Sequence, residues 1–384
     1  MKVLVIGAGK MGSALVWDLA SNPDVQAITV ADRDLALARG VAERMGRGRA
    51  EAVALDAGDA GAVRKLMAGQ TVAVGAADYR FNEMLTREAI AAGAHFCDLG
   101  GNNTVVERQF AMDGAAREAG VTVVPDCGLA PGMVSLLVAH GVERLEKPVR
   151  AAIRVGGLPV EPVGPLRYQI VFSVRGLTNE YREPAQVLRD GKLLTVPSLT
   201  ELEELEFPAP FGRLEAFQTS GGLSTLARTY GSRLRDLDYK TIRYPGHCSI
   251  VKALFDLGFL DEEPLQAGPV VLPPRVLTEA LLTKNLPSRG PDAVLVRVAV
   301  EGERAGRNLR LTYQCVEYSD PASGNSAMGR MTSYPASIIA QMMGSGAVTL
   351  RGVHPQEIAV PPGPFLEQLT RRNIRVEQRE EILA

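Results

Sequence analysis

The chain begins with a short apolar run that leads into three closely spaced glycines. Residues 2–6 have the composition of a buried β-strand, and residues 13–20 have the apolar spacing of an amphipathic helix. Gly7, Gly9 and Gly12 occupy the turn between them. With this spacing, the first glycine permits a tight turn, the second lets the backbone approach a pyrophosphate, and the third lets helix and strand pack closely. The unit therefore predicts a Rossmann domain with a dinucleotide at the helix N-terminus.

An acidic residue ends the second predicted strand. Residues 27–31 are apolar and are followed by Asp32, about 20 residues beyond the glycines, where a carboxylate accepts hydrogen bonds from the adenosine ribose. A carboxylate here repels a 2′-phosphate, so Asp32 favours NAD over NADP, although the adjacent Arg33 weakens that preference. The alternative is a Rossmann domain that no longer binds a nucleotide. We expect the cofactor to contact the glycine turn and the neighbouring strand ends: Gly7, Gly9, Lys10, Met11, Gly12, Asp32, Asp56 and Ala76.

Strand and helix patterns alternate through the first third of the chain. Apolar strand patterns at 50–56, 71–75, 95–99 and 121–125 are separated by segments with helical spacing. This alternation is typical of a doubly wound parallel sheet with helices on both faces. We therefore predict an α/β fold whose cofactor domain spans residues 1–125.

The pattern changes after residue 125 to consecutive strands, which predict a mixed or antiparallel sheet in a second, α+β domain over 126–325. This domain is expected to bind the substrate and to support self-association, so a homodimer or higher homo-oligomer is predicted. The strand patterns are 150–156, 166–174 and a hairpin of 292–300 with 308–318.

The C-terminal segment is expected to complete the first domain. Residues 326–343 have helical apolar spacing interrupted by Pro335, and a long helix here can return to cover the first sheet. Residues 353–364 are rich in proline and are predicted to be extended. The whole segment 326–384 is therefore assigned to the cofactor domain.

The composition favours a small-molecule substrate. The 384 residues carry a formal net charge of −2, which provides no attraction to nucleic acid or to an anionic membrane. No apolar run reaches the ~20 residues that span a bilayer, and no signal peptide precedes the first strand, so a cytoplasmic location is expected. The four cysteines and four histidines are scattered without metal-ligand spacing, so neither a metal site nor a disulfide framework is predicted.

The strand ends should carry the chemistry, because ligands of open parallel sheets bind at the carboxyl ends of the strands. Asp98 ends one predicted strand and is followed by Gly100, which leaves space beside the cofactor; Pro131 follows the next strand. Asp98 is interpreted either as an acid that meets a substrate amine or as a turn residue bonded to the backbone. Asp56 is placed near the adenine, and a helix cap at Asp59 is the alternative explanation for this segment.

A second polar cluster lies far along the chain, around a Pro-Gly turn. Arg243 is suited to hold a carboxylate in a bidentate fork, and His247 has an ordinary pKa near neutrality, as a general acid or base requires. Thr241 and Tyr244 are expected to contact the substrate beside them. The alternative for Arg243 and His247 is a structural role. The loop 219–222 is a further candidate, either as an anion-binding loop or through Ser220 as a helix cap.

Characteristic stretches recur along nearly the whole chain: GAGKMG, LDAGD, RFNE, CDLGG, PDCGLAPGM, VGGLPV, EAFQTSGGLSTLAR, DYKTIRYPGH and the tail RGV with its following prolines. In these stretches the chain resembles the saccharopine dehydrogenase-like oxidoreductases, and among them the bacterial L-lysine 6-dehydrogenases. This resemblance implies NAD-dependent oxidation of the side-chain amine of L-lysine to allysine, which cyclises to piperideine-6-carboxylate, with release of ammonia. It also implies that Arg243 holds the substrate carboxylate, and we assign Asp98 or His247 as proton acceptor.

The sequence departs from the saccharopine reductases at residues 128–132. Those enzymes carry Gly-Leu-Asp-Pro-Gly with a histidine close behind, whereas this chain has Gly-Leu-Ala-Pro-Gly and lacks both groups. The departure argues against saccharopine chemistry. A saccharopine or carboxyalkyl-polyamine dehydrogenase remains the alternative, with Arg167 or Arg175 as a second carboxylate-binding residue. A regulator that binds NAD without turnover is a further alternative.

Overall fold

The computed structural model describes residues 1–383, which divide into two compact units. The predicted α/β class is confirmed, with one parallel sheet and one mixed sheet. The first unit contains Met1–His140, Pro321–Asn325 and Gly329–Val376, and the second contains Gly141–Asp320, Ser326–Met328 and the described residues from Glu377 onward.

The first unit is built on a seven-stranded parallel sheet. Its strand order is β17-β6-β5-β4-β1-β2-β3, so the chain starts in the interior of the sheet and winds in both directions. Val3, Leu4 and Val5 have no exposed surface, as expected for a parallel strand covered on both faces. The strands are β1 (Lys2–Ile6), β2 (Ala27–Asp32), β3 (Ala50–Ala54), β4 (Val72–Gly75), β5 (His95–Asp98), β6 (Thr122–Val124) and β17 (Gly352–Val353).

Several helices of this unit start where a polar side chain satisfies the first free amides. Asp34 accepts hydrogen bonds from two amides that follow it, and Asp59 accepts one from Ala62 N at 3.0 Å. Asp59 therefore caps a helix, as the alternative interpretation of its segment proposed. The helices are α1 (Lys10–Leu19), α2 (Leu35–Met45), α3 (Ala60–Met67), α4 (Asn82–Ala92), α5 (Asn103–Phe110), α6 (Asp113–Glu118), α7 (Val134–Glu143), α12 (Ala327–Gly344), α13 (Gln356–Ala359) and α14 (Pro362–Arg371), with short helical turns at Tyr79–Phe81 and Leu129–Met133.

The first unit extends to His140, beyond the predicted boundary at 125. Backbone hydrogen bonds explain the difference, because Cys127 N donates to Asp98 O at 2.7 Å. The side chain of Gln356 also donates to Pro125 O at 2.9 Å. These bonds attach the segment after β6 to the parallel sheet.

The predicted C-terminal helix packs on the first unit and continues through Pro335. Ser333 Oγ donates to Met11 O at 2.8 Å, so α12 lies beside the start of α1. The prediction that 353–364 is extended is wrong, because the segment contains α13 and the start of α14. Helix α14 begins at Pro362, and proline is favourable in a first helical turn, where its missing N–H has no intrahelical partner.

The second unit contains a mixed sheet with the path β10-β11-β12-β7-β15-β16-β18, and β8 pairs with β12 and β9. The hairpin predicted around 301–307 is confirmed, because β15 and β16 pair antiparallel. The strands are β7 (Lys147–Pro159), β8 (Ala185–Arg189), β9 (Lys192–Val196), β10 (Glu203–Phe207), β11 (Gly212–Gln218), β12 (Asp236–Arg243), β15 (Asp292–Arg304), β16 (Arg307–Tyr318) and β18 (Glu377–Ile382), with a separate hairpin of β13 (Leu265–Ala267) and β14 (Val270–Leu272).

Four helices of the described residues cross this unit, and one of them begins at the end of a segment that was predicted to be a strand. The strand expected at 166–174 is absent, and the segment instead leads into α8, which Ser173 caps through a 3.0 Å hydrogen bond from Gly176 N. The helices are α8 (Val174–Arg182), α9 (Leu226–Tyr230), α10 (His247–Asp256) and α11 (Pro274–Asn285). Among the described residues, no helix combines the length and the hydrophobicity needed to span a bilayer.

Candidate functional site

The glycine turn of the first unit fits a bound pyrophosphate. Gly7 has φ +109°, and a Cβ there would lie 2.7 Å from the carbonyl carbon of Ala76. A Cβ on Gly12 would lie 1.8 Å from Gly7 O, so both positions exclude a side chain for reasons internal to the fold. A Cβ on Gly9 would meet no described atom within 4 Å, so this glycine leaves open space at the start of α1. No described side chain caps α1 there, which leaves its N-terminal end available for an anion.

Asp32 lies beside that turn, at the carboxyl end of β2. Its Oδ2 accepts a hydrogen bond from Ala8 N at 2.7 Å, and its Oδ1 accepts one from Asp34 N at 2.9 Å. A carboxylate has roughly four acceptor positions, so two remain for a ligand. The half-buried side chain is thus held in place by the glycine turn and retains capacity for two ribose hydroxyls.

Three other predicted cofactor residues lie at the same edge of the sheet. Ala76 follows β4, and its N donates to Ile6 O at 2.8 Å. Lys10 is exposed at the start of α1. Asp56 is also exposed, and its Oδ1 accepts a hydrogen bond from Gly58 N at 2.9 Å. The carboxylate of Asp56 therefore stabilises its own turn, and its predicted contact with adenine stays a prediction.

Asp98 is fully buried at the end of β5. Its Oδ1 accepts hydrogen bonds from Gly100 N at 2.7 Å and Asp126 N at 3.3 Å, and its Oδ2 accepts one from Gln109 Nε2 at 2.7 Å. Burial raises the pKa of Asp98, and these three hydrogen bonds oppose the rise. A Cβ on Gly100 would lie 1.9 Å from Asp126 Oδ1. The geometry is that of the turn-anchoring alternative, and the space beside Gly100 is filled by a protein carboxylate.

Pro131 lies in the turn Leu129–Met133 between β6 and α7 and is partly exposed. The next residue, Gly132, has φ +121°, and a Cβ there would lie 2.7 Å from the carbonyl carbon of Cys127. The turn is therefore constrained by its own backbone, and Ala130 and Pro131 are the residues in it that are partly exposed.

Arg243 is the centre of a buried polar cluster in the second unit. It ends β12 and is only 2% exposed. Its Nε donates to Tyr181 Oη at 3.3 Å and its Nη1 donates to Ile242 O at 2.9 Å. The guanidinium carbon lies 4.9 Å from the ring centre of Tyr168. Its Nη2 lies 3.8 Å from Glu180 Oε2. Three neighbours thus fix the guanidinium and direct one nitrogen toward a carboxylate.

His247 begins α10 and uses both ring nitrogens inside the protein. Nδ1 lies 2.8 Å from Leu166 O, and Nε2 lies 2.9 Å from Tyr181 Oη. A carbonyl oxygen only accepts, so Nδ1 carries the proton and Nε2 accepts from the tyrosine hydroxyl. Burial, together with the positive charge of Arg243, lowers the pKa of His247 to about 3, so the ring is neutral near pH 7. In this structure His247 orients Tyr181, which in turn accepts from Arg243.

The sequence analysis missed Glu180, which lies on α8 next to Tyr181. Its side chain is 29% exposed, whereas that of Arg243 is 3% exposed. Burial raises the pKa of Glu180 to about 7, and the charge of Arg243 opposes that rise. The sequence feature that could have revealed this residue is the i, i+4 spacing of Leu177 and Tyr181, which indicates a helix with Glu180 beside its apolar face. Both of these residues are buried in the structure.

Thr241 and Tyr244, predicted to contact substrate, are buried and bonded to their own unit. Thr241 Oγ1 lies 2.6 Å from Thr219 Oγ1, and Tyr244 Oη donates to Val160 O at 2.9 Å. Their hydroxyls support the end of β12 in the described structure. Direct contact with a ligand stays a prediction for both residues.

In the loop 219–222 the structure contradicts the predicted helix cap, and the anion-binding alternative stays a prediction. Ser220 Oγ donates to Asn179 O at 3.4 Å and is not a helix cap, because α9 begins only at Leu226. A Cβ on Gly222 would lie 2.2 Å from the Tyr239 ring, so the loop packs against an aromatic face. Gly222 therefore serves packing, whereas a Cβ on Gly221 would meet no described atom within 4 Å.

The two arginines considered for a second carboxylate differ in their surroundings. Arg167 donates from Nη1 to Pro245 O at 2.8 Å and is exposed. Arg175 forms ion pairs with Glu262 at 2.8 Å and Glu279 at 3.4 Å. Arg175 is therefore already neutralised by protein carboxylates, and Arg167 is the better placed of the two to bind an added anion.

Two family models together match nearly the whole chain. The family described as saccharopine dehydrogenase C-terminal domain matches residues 128–374, and that described as saccharopine dehydrogenase NADP binding domain matches residues 3–124. The chain belongs to the saccharopine dehydrogenase family. Residues 3–124 are accordingly the pyridine-nucleotide-binding domain of that family, which agrees with the glycine turn.

Members of the saccharopine dehydrogenase family are similar to the chain over much of its length. Saccharopine dehydrogenase [NADP(+), L-glutamate-forming] of Saccharomyces cerevisiae is 27% identical over 290 residues, which are 73% of this chain and 62% of that protein. The mitochondrial alpha-aminoadipic semialdehyde synthase of Rattus norvegicus is 27% identical over 168 residues, 41% of this chain and 18% of that protein. The chain therefore spans less than two thirds of the length of these relatives.

A solved structure shows the same fold. Apo histidine-tagged saccharopine dehydrogenase (L-Glu forming) from Saccharomyces cerevisiae superposes with a TM-score of 0.81 and 22% sequence identity, and the alignment covers 100% of both chains. At this identity the likeness concerns the fold, and it agrees with the predicted Rossmann sheet and mixed second sheet.

Proposed function

We propose that the protein is an NAD-dependent dehydrogenase that oxidises the side-chain amine of L-lysine to allysine and ammonia. The observation that carries the proposal is the fixed guanidinium of Arg243 with Glu180 beside it in the second unit, in a chain whose first unit is a pyridine-nucleotide-binding domain. Arg243 offers the planar donor pair that a substrate carboxylate requires. A buried, hydrogen-bonded guanidinium of this kind suits an amino-acid substrate better than a simple amine.

Asp32 supports NAD as the preferred cofactor. When bound, NAD supplies the hydride acceptor for oxidation of the carbon that bears the amine. The Asp32 carboxylate is held beside the glycine turn by Ala8 N and Asp34 N, where it accepts from ribose hydroxyls and repels a 2′-phosphate. The family description and the yeast relative name NADP(+) for those proteins, so the preference of this chain is a specific, testable part of the proposal.

Oxidation requires the neutral form of the substrate amine, whose ordinary pKa is about 10.4. The two residues predicted to accept its proton, Asp98 and His247, are 0% and 1% exposed and hold their hydrogen bonds within the protein. With a pKa of about 3, His247 is a poor acceptor, since transfer from an ammonium of pKa ~10.4 would cost roughly 10 kcal/mol. We therefore propose that both act as positioning residues and that the neutral amine is selected from solution.

The net reaction balances without any further oxidant. The ammonium form of the substrate, NAD⁺ and water give the aldehyde, NH₄⁺, NADH and one proton. The carbon–nitrogen bond is oxidised to an imine on the substrate and is then cleaved by water. The aldehyde is free to condense with the α-amine of the same molecule, which gives the cyclic piperideine-6-carboxylate.

The names of the relatives favour saccharopine oxidation as a second candidate. Saccharopine has additional carboxylates, for which Arg167 is the exposed cation nearest in sequence to the cluster. Ala130, where saccharopine reductases carry aspartate, is the observation against this candidate.

NADH absorbance tests the proposal directly. The enzyme with NAD is given L-lysine, saccharopine or no substrate at about pH 10, near the pKa of the lysine amine. We expect NADH and a cyclic imine, detected as its o-aminobenzaldehyde adduct, from lysine alone. Signal from saccharopine alone would support the second candidate, and no signal from lysine at this pH would overturn the leading proposal.

A further inference from the structure

Glu180 and Arg243 carry opposite charges and lie close together, but no hydrogen bond joins their side chains. Their nearest nitrogen and oxygen are 3.8 Å apart, which is beyond hydrogen-bond distance. Nη2 of Arg243 donates no hydrogen bond among the described contacts, whereas its Nε and Nη1 do. Both members of the pair therefore have capacity for a ligand at the same point.

We propose that Glu180 and Arg243 form one subsite that binds the zwitterionic head of an α-amino acid, with Glu180 on the α-ammonium and Arg243 on the α-carboxylate. This assignment rests on the proposed function, because it concerns how the lysine substrate is held. It makes Glu180 a residue that selects amino acids over amines and over carboxylic acids.

Charge matching supports a zwitterion at this position. The ammonium and the carboxylate of an amino acid are attached to one carbon and so lie close together. A protein carboxylate and a protein guanidinium that also lie close together complement these two charges. The substrate carboxylate replaces Glu180 at Nη2, and Glu180 takes the ammonium in exchange. Arg243 and Glu180 each keep a partner of opposite charge before and after binding, which avoids leaving the buried guanidinium without a counter-ion.

Distance argues against Glu180 as the base for the reacting amine. The whole aliphatic chain of lysine separates the head group from the side-chain nitrogen. If Arg243 holds the α-carboxylate, a carboxylate only 3.8 Å from that guanidinium lies at the head of the substrate and not at its reacting end. Glu180 therefore contributes binding and orientation.

The neighbours of Glu180 make it the group of this cluster that titrates near neutrality. Burial raises the pKa of Tyr181, on the same helix, to about 12, and burial also raises the pKa values of Tyr168 and of Tyr239 on β12. Arg243, also on β12, remains charged. Glu180, with a pKa of about 7, is then the group that gains charge as the pH rises, and its ionised form is the one that binds an ammonium.

Two ligands that cannot be oxidised at the side chain isolate the head group. L-Norleucine has the lysine head and chain without the side-chain amine, and hexanoate lacks the α-ammonium as well. Their dissociation constants are measured by calorimetry on the full chain with NAD for wild type, Glu180→Gln and the control Glu183→Gln. Glu183 is exposed just past the end of the same helix, so it matches the change in charge without touching the cluster.

We expect Glu180→Gln to weaken norleucine binding by roughly 10- to 100-fold, the value of a hydrogen bond to a charged group. Hexanoate should bind the variant at least as tightly as it binds the wild-type protein, because the variant lacks the Glu180 carboxylate that repels the carboxylate of hexanoate. Glu183→Gln should change neither. Equal losses for both ligands, or an unchanged norleucine affinity, would overturn the proposal.

The wild-type protein supplies a second measurement in case Glu180→Gln does not fold. Norleucine affinity should rise between about pH 6 and pH 8, through the pKa of Glu180, while hexanoate affinity should not rise. Absence of that difference counts against the subsite. These measurements require no turnover, so a failure of lysine oxidation would refute the proposed function and leave the head-group comparison to decide the subsite.

Discussion

Replacing Tyr181 with phenylalanine tests the chain of hydrogen bonds that positions Arg243. The hydroxyl donates to His247 Nε2 at 2.9 Å and accepts from Arg243 Nε at 3.3 Å. Tyr181→Phe leaves a buried imidazole acceptor without its partner, which costs about 1–3 kcal/mol, and removes one hydrogen bond from a charged donor. Because that second bond is long, we expect a total loss of about 2–4 kcal/mol in the free energy of unfolding of the second unit.

The same change should affect substrate binding more than turnover. Arg243 is proposed to hold the carboxylate equally in the ground state and the transition state, so loosening it should raise KM for lysine with little change in kcat. We expect a KM increase of roughly three- to tenfold, equivalent to about 0.6–1.4 kcal/mol.

Denaturant unfolding and steady-state kinetics measure the two effects. Tyr318→Phe is the matched control, because Tyr318 is 40% exposed and lies at the end of β16. A Tyr181→Phe protein within about 0.5 kcal/mol of the control, with wild-type KM, would refute the hydrogen-bond chain. A fall in kcat at constant KM would instead place Tyr181 at the reacting end of the substrate.

Three further outcomes are expected. Gly12→Ala should prevent correct folding, since its Cβ would lie 1.8 Å from Gly7 O, whereas Gly9→Ala should fold and weaken NAD binding, measured by melting temperature and NADH fluorescence titration. Asp32→Ala should lower kcat/KM for NAD by roughly tenfold or more and for NADP by less; equal losses would contradict the ribose role. Burial lowers the pKa of His247 from 6.5 to about 3, so the unfolded chain binds a proton that the folded chain does not bind. The free energy of unfolding should therefore fall as the pH drops from 6.5 toward 3. A His247→Gln protein that folds should lack this component of the fall in an acid titration.

Much of the first unit follows from local pattern. Strand β1 was predicted at 2–6 and spans Lys2–Ile6, and the strand predicted at 95–99 is β5, which spans His95–Asp98. These elements are governed by apolar periodicity and by glycines whose backbone requirements are local. The same reasoning failed at 353–364, where the prolines that suggested an extended chain lie before and within first helical turns.

The second unit shows where local pattern is insufficient. The segment 166–174 was predicted to be a strand. Over so short a length, however, its apolar residues match both the two-residue period of a strand and the 3.6-residue period of a helix. Tyr168 is buried there against Arg243 and His247, which come from a distant part of the chain. The segment's structure is therefore set by contacts that no window of sequence contains.

The candidate site divides in the same way. The sequence by itself determined that the first unit is a dinucleotide-binding domain and predicted its cofactor residues, because the glycine spacing and Asp32 act through backbone geometry within one strand–turn–helix–strand unit. It also identified Arg243, as a residue type suited to a carboxylate. Only the tertiary structure decided that Asp98 and His247 are enclosed by hydrogen bonds and that Glu180 lies beside Arg243. Burial, pKa and charge pairing depend on which elements pack together, and those packings join residues far apart in the chain.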